Sequence, residues 1–318
     1  MKLRKFITKS GRRAISSKRF CFPFVFFFPK SDLPLRASFL LLIIHNLLFA
    51  QPAQRIAVLV PEKLSPSRSF AAKLESSLRT KFDVLDGSLS ETAFRSTVYE
   101  NPFNLSIEES KNIGAAIGCR YFLLIKSETQ RRSAFQREEF YESFAAVYVV
   151  SAKTGKLVFW KLQSFEALKP SESEKLLLDS TDALALEIAG KLKIKTKEET
   201  IEKLNEKTAG KIEEVPDESD PEAKNFRPPL PYKRFKPEYT RLAYIYDIKA
   251  TVDVSVDLDE TGAILQTEIV RWAGYGLDES VIETVRRMNW RPATLNGKTL
   301  PMRVLLRYNF KKIEKEEQ

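Results

Sequence analysis

The chain has 318 residues, 43% of them apolar and 30% charged, a length that suits two domains of ordinary size and a mixture that folds. Its formal net charge is +10, but residues 1–36 hold ten Lys or Arg against the single Asp32. Taking these from 52 basic and 42 acidic side chains leaves 42 and 41 for residues 37–318, which removes most of the support for nucleic-acid binding, since that needs a clustered excess of positive charge.

The basic stretch runs into "ASFLLLIIHNLLFA", residues 37–50, and then the polar "QPAQ". This is the layout of a secretory signal, with cleavage expected near Ala50 or Ala53. As a helix, residues 37–50 would reach about 21 Å, short of the roughly 30 Å of a bilayer core, so a short inner-membrane anchor is the second reading. The leader is long for a signal, and a start near Leu33 would give one of ordinary length. Residues 1–54 are therefore read as leader.

From Arg55 the pattern becomes that of a folded unit. "RIAVLV" (55–60) is expected to be a buried strand, and residues 69–82 a helix with Phe70, Leu74, Leu78 and Phe82 on one side. "DVLD" reads as a short strand. Ser106 and Glu109 form a capping box for a helix ending at Gly118. "RYFLLIKS" and the hairpin 144–165, turning at Thr154-Gly155, follow as strands. A second capping box, Ser171 with Glu174, is expected to open one helix reaching about Ile194. Helices alternate with strands as far as the hairpin, so residues 55–194 read as an α/β domain with a partly antiparallel sheet. Cys119, the one cysteine beyond the leader, can form no internal disulfide and is read as a small core residue.

Chemistry-bearing constellations are sparse. The one histidine, His45, falls in the apolar stretch of the leader, so the rest of the chain cannot hold a Ser-His-Asp triad or a histidine metal site. "GAAIG" (114–118) lacks the rest of a nucleotide-binding fingerprint. The pairs Glu138/Glu139 and Asp257/Asp259 are read as solvated charges. No catalytic, metal-binding or cofactor-binding residue is assigned, and an enzyme is not expected.

Residues 195–230 are dominated by Lys, Glu and Asp with few large apolar side chains, the composition of a flexible linker spanning about 30–35 Å as a random coil. Beyond it, "IKATVDVSVDL" alternates strictly, with Ala250, Val252, Val254, Val256 and Leu258 on one face. Residues 259–262 turn into "AILQTEIVRW". Asp278 is expected to cap a helix with Val281, Val285 and Met288 as its apolar stripe, which Pro292 stops. After Asn296-Gly297, a last strand points Met302, Val304, Leu306, Tyr308 and Phe310 inward, with Arg303, Leu305, Arg307 and Asn309 outward. The expectation for residues 231–311 is an α+β domain of three strands and one helix, followed by a charged tail at 312–318.

"PEYTRLA" (237–243), "VDVSVDLDETGAI" (252–264), "GYGLDESVIETVRRMNWRPATLNGKTLP" (274–301) and "VLLRYNF" (304–310) stand in the order of the TonB C-terminal domain family, which residues 231–311 resemble. Residues 55–194, with two strands around "KTGKLVFW" before a closing helix, more loosely resemble the N-terminal domain of TolB and the CsgG and LpoB envelope lipoproteins. The first resemblance implies a periplasmic energy transducer that grips outer-membrane transporters by strand addition, and the second an envelope protein that contacts other proteins. On this chain the implied partner-binding residues are Arg303, Val304, Leu305, Leu306, Arg307, Tyr308, Asn309 and Phe310, with "PPLPYKRFKPEY" (228–239), including Tyr232 and Tyr239, packed beside them. The sequence departs from the family in three ways. A globular domain and a Lys/Glu linker replace the Pro-rich stalk, Thr240 stands where a Pro is usual, and His45 follows a Ser by seven positions instead of four. The expected role is energy coupling to outer-membrane transport, with a periplasmic adaptor or assembly factor using the same edge as the alternative.

Overall fold

The computed structural model describes residues 54–312 apart from Lys63, 135–136, 206–212 and 215–224. The leader, the C-terminal tail and much of the expected linker lie outside these residues. The first sheet contains β1 (Arg55–Leu59), β2 (Asp83–Val84), β3 (Tyr121–Ala134), β4 (Arg137–Ser151) and β5 (Leu157–Ala167), in the order β2-β1-β3-β4-β5. β1 pairs in parallel with β2 and β3, and β3, β4 and β5 form an antiparallel meander.

The outer halves of β3 and β4 were not legible as strands because residues 128–143 are mostly polar, buried Phe140 notwithstanding. Cross-strand polar pairs hold them instead. The Thr129 and Ser143 hydroxyls lie 2.8 Å apart, and Arg132 Nε meets Glu142 Oε2 at 2.8 Å.

Helices α1 (Ser65–Leu78), α4 (Pro170–Asp179) and α5 (Thr181–Asn205) cover one face of this sheet. Phe70, Leu74, Leu78, Leu177, Leu184, Ile188 and Leu192 pack there on Ile56, Val58, Leu123, Val147 and Val149. α1 starts four residues before the expected position, with Pro66 in its first turn, where the missing N–H is no loss. The single helix expected at 171–194 is two helices. Ser171 does not cap the first, since Lys169 holds the N-cap position without a side-chain bond, and Glu174 accepts from Thr129 instead. The break falls at Ser180, whose hydroxyl donates to Leu177 O. α5 runs on to Asn205, eleven residues past Ile194 and into the expected linker.

On the opposite face lie α2 (Gly87–Phe94), which the sequence did not announce, and α3 (Ile107–Ile117). The α3 capping box forms as expected: Glu109 N–H donates to Ser106 Oγ, and Ser106 N–H to Glu109 Oε2. Such a cap contributes about 1 kcal/mol.

The C-terminal region adds α6 (Arg241–Ile245), β9 (Ala250–Leu258), β10 (Ile264–Arg271), α7 (Leu277–Arg286) and β14 (Met302–Phe310). Its sheet has the order β10-β9-β14-β6, where β6 (Glu213–Glu214) is a two-residue strand that pairs in parallel with Met302 and Arg303. β7 (Phe226–Arg227), β8 (Leu230–Pro231), β11 (Trp290–Arg291), β12 (Ala293–Leu295) and β13 (Lys298–Leu300) make two further small sheets. The region is thus more elaborate than three strands and one helix. Asn296 (φ 52°) and Gly297 (φ 81°) both take left-handed backbone in the β12–β13 turn, the geometry for which Asn-Gly is the preferred pair.

The two sheets share a core. Tyr148, Phe103 and Leu124 belong to one continuous apolar cluster with Val252, Val254, Trp272, Tyr275, Val281 and Val285. The face of the first sheet not covered by α1, α4 and α5 is therefore closed by α2, α3 and the C-terminal region together.

Candidate partner-binding edge and its anchorage

β14 is antiparallel to β9 in an unbroken register from Met302↔Leu258 to Phe310↔Ala250. Its side chains alternate as expected: Met302 and Phe310 are buried, Val304, Leu306 and Tyr308 half-buried, and Arg303, Leu305, Arg307 and Asn309 exposed. On its other side, among the described residues, only β6 pairs with it, and only at Met302 and Arg303. The backbone from Val304 to Phe310 is a sheet edge.

The polar face differs from the expectation. Asp257, read as solvated, is 3% exposed, and Asp253 is 5% exposed. Each is held by a bidentate arginine across the ladder. Arg303 Nε and Nη2 donate to Asp257 at 2.7 and 2.8 Å, and Arg307 Nε and Nη2 to Asp253 at 2.7 and 2.9 Å. Arg271 lies 3.5 Å from Asp253 and 3.1 Å from Glu109. Burying a carboxylate without such partners is costly. Leu305 sits between the two arginines, 60% exposed. Asp259 is a turn residue, its carboxylate accepting from the Thr261 hydroxyl and from the N–H groups of Ala263 and Thr261 and so held below its ordinary range.

The segment 228–239 is not a strand beside β14. Its Leu230 and Pro231 pair with β11, and exposed Tyr232 donates its N–H to Asn289 O. Tyr239 does reach the strand: its ring stacks on Phe310 with centroids 6.4 Å apart, while its hydroxyl donates to Ala243 O and Ile248 O. Tyr239 thus fixes α6 against the end of β14, and Tyr232 lies just past the end of β8.

What holds this edge in place is a junction that motif reading did not find. Trp160 on β5 packs against Tyr275 with the rings tilted and their centroids 4.8 Å apart, and Tyr148 on β4 lies 5.6 Å from Trp272. Such pairs contribute about 0.5–1.5 kcal/mol each beyond their buried area. Gly274 lies so close that a Cβ there would sit 2.7 Å from Trp160 Nε1. The Asn104 amide bridges Trp272 O, Thr251 O and Thr251 N–H. Lys156 pairs with Glu268 at 2.6 Å.

At the far end, Glu142 accepts from Tyr246 at 2.6 Å and from Arg132 and Ser164. Burial works to raise its carboxyl, but these hydrogen bonds prevail and hold it below its ordinary value. Asp278 is not the helix cap, because Gly276 holds that position. Its carboxylate accepts from Ala273 and Gly274 N–H, both at 2.9 Å, and burial pushes it up to about 7. Cys119 is half-buried, and burial raises its thiol to about 12, as suits a packing residue.

Residues 236–311 match the family model of the Gram-negative bacterial TonB protein C-terminal domain. The chain therefore carries a TonB-type C-terminal region that ends in the β14 edge. Among solved structures, the TonB C-terminal domain of Pseudomonas aeruginosa aligns at 18% identity over 34% of this chain and 100% of its own, with a TM-score of 0.25. Lipoprotein GNA1162 of Neisseria meningitidis aligns at 16% over 43% of this chain and 99% of its own, with a TM-score of 0.32. The LpoB C-terminal domain of Salmonella enterica aligns at 12% over 38% and 91%, with a TM-score of 0.23. No curated protein matches the chain.

Proposed function

We propose that this is a cell-envelope protein whose TonB-type C-terminal region binds an extended segment of an outer-membrane transporter by strand addition to β14, and so couples to transport. The observation that carries the reading is the run from Val304 to Phe310 that has no strand partner on its outer side among the described residues, on a strand whose other side is fully paired with β9. An edge of this kind supplies main-chain donors and acceptors to an incoming strand, and alternate side chains select it. The exported state expected from residues 37–50 places the edge in the periplasm, and no catalysis is assigned to it.

The packing of Trp160 and Tyr148 on Tyr275 and Trp272 favours a second reading, a periplasmic adaptor or assembly factor. There the same edge would be presented on a rigid α/β platform in place of an extended stalk.

The test is titration of the full chain with synthetic 12-residue peptides from the periplasmic N-terminal segments of outer-membrane transporters, read by fluorescence anisotropy and by hydrogen exchange of the β14 amides. Binding should slow exchange at 304–310, and Leu305→Pro should abolish it with the circular dichroism spectrum retained. Binding that leaves 304–310 unprotected sinks the strand-addition reading whether or not the Pro variant folds.

A further inference from the structure

A polar cavity of about 510 Å³ opens at the end of β14, and it is built from both halves of the molecule. Glu100, Asn101 and Asn104 come from the loop between α2 and α3, Lys249 from the approach to β9, and Arg307 and Asn309 from β14 itself.

The hydrogen-bond inventory of its lining is lopsided. Asn101 Oδ1 already accepts from Phe103 N–H at 3.0 Å, and Asn309 Oδ1 from the Thr251 hydroxyl at 2.9 Å. Both oxygens of Asp253 are engaged by Arg307, which uses its Nε and Nη2 to do so. Among side chains the capacity left over is therefore mainly on donors: the Asn101 and Asn309 amide nitrogens, Arg307 Nη1, and the ammonium of exposed Lys249. Against these stands one carboxylate, that of exposed Glu100.

We propose that this cavity receives the carboxylate of an acidic side chain carried by the extended segment that lies on β14, so that the α/β half of the molecule takes part in choosing the partner. The inference rests on the strand-addition reading. A strand added to the edge places its side chains about 5 Å from those of β14 on the same face, so a residue opposite Arg307 or Asn309 stands at the cavity mouth. A carboxylate accepts hydrogen bonds and donates none, which matches the unengaged groups there. Glu100 at the rim disfavours a second acidic side chain and sets the spacing of charge along the segment.

The experiment uses the full chain and the tightest-binding transporter peptide of the panel above that contains Asp or Glu, together with its Asn or Gln counterpart. The wild-type protein should prefer the acidic peptide by about 2- to 5-fold, the upper range for a solvent-exposed ion pair. Lys249→Ala, at an exposed position outside the strands, should abolish that preference while leaving the amide peptide's affinity unchanged. Asn309→Ala should weaken the preference, and raising the salt concentration should lower it in the wild type alone. Equal preference in wild type and Lys249→Ala, or none in the wild type, overturns the cavity's role and leaves strand addition standing. If no peptide protects residues 304–310 from exchange, strand addition itself fails, and the cavity assignment with it.

Discussion

Gly274→Ala tests whether the two sheets fold as one unit. Gly274 has φ +73°, and an added Cβ would stand 2.7 Å from Trp160 Nε1 and 2.8 Å from Trp160 Cδ1. A left-handed non-glycine residue costs about 1–2 kcal/mol, and forcing a packed indole aside about 1–3 kcal/mol more, so the loss should be about 2–5 kcal/mol. For a chain of this size each kcal/mol corresponds to roughly 2–4 °C of melting temperature.

Urea unfolding followed by near-UV and far-UV circular dichroism should show one shared transition, displaced to lower denaturant. Combining the change with Trp160→Ala removes the obstacle, so the two effects should be non-additive by about 1–3 kcal/mol. Gly87→Ala, where a Cβ meets nothing within 4 Å, is the control and should be near neutral. Additivity within about 0.5 kcal/mol, or a first sheet that melts independently of the second, would refute the shared junction.

Asp278 gives the pH dependence. Its carboxyl titrates near 7 in the fold against 3.8 when unperturbed, because burial disfavours the charged form. The folded chain therefore binds a proton that the unfolded chain has lost, and the stability from this residue declines as pH rises from about 4 through 7; Asp278→Asn should flatten that decline in a thermal-shift series. If a protease cuts within the expected linker, residues 195–230, the two fragments should co-elute on gel filtration, since Trp272 and Tyr275 remain packed on Tyr148 and Trp160; separation of the fragments in native buffer would contradict the common core. Cys119, with its thiol raised to about 12, should resist a thiol-specific reagent at pH 8 until urea is added.

The long elements of the C-terminal region were legible because each obeys one strong local rule. β9 alternates strictly, α7 carries Val281 and Val285 one turn apart, and Asn296-Gly297 suits only a tight turn. The family resemblance of residues 236–311 follows from the same rules written in a fixed order. The Asp253/Asp257 and Arg303/Arg307 pairs share a spacing of four on facing strands, so the ladder could have been found by matching the two strands. The junction could not. Trp160, Gly274 and Tyr275 come together only through tertiary packing, and nothing local marks Trp160 as facing a second sheet. The outer halves of β3 and β4 escaped notice for a related reason, because a mostly polar stretch blurs the alternation by which strands are recognised. α5 overran the expected linker because Lys and Glu favour helix as readily as they favour disorder.

The two arginine clamps have a mechanical consequence. A slip of β14 by two residues in either direction would place Arg303 or Arg307 opposite Ser255 and leave Asp253 and Asp257 without their cross-strand arginines. Tension along β14 acts in shear on nine cross-strand residue pairs and both clamps at once. A strand held this way does not creep under load; it keeps its place until the whole ladder yields, and so behaves as a latch.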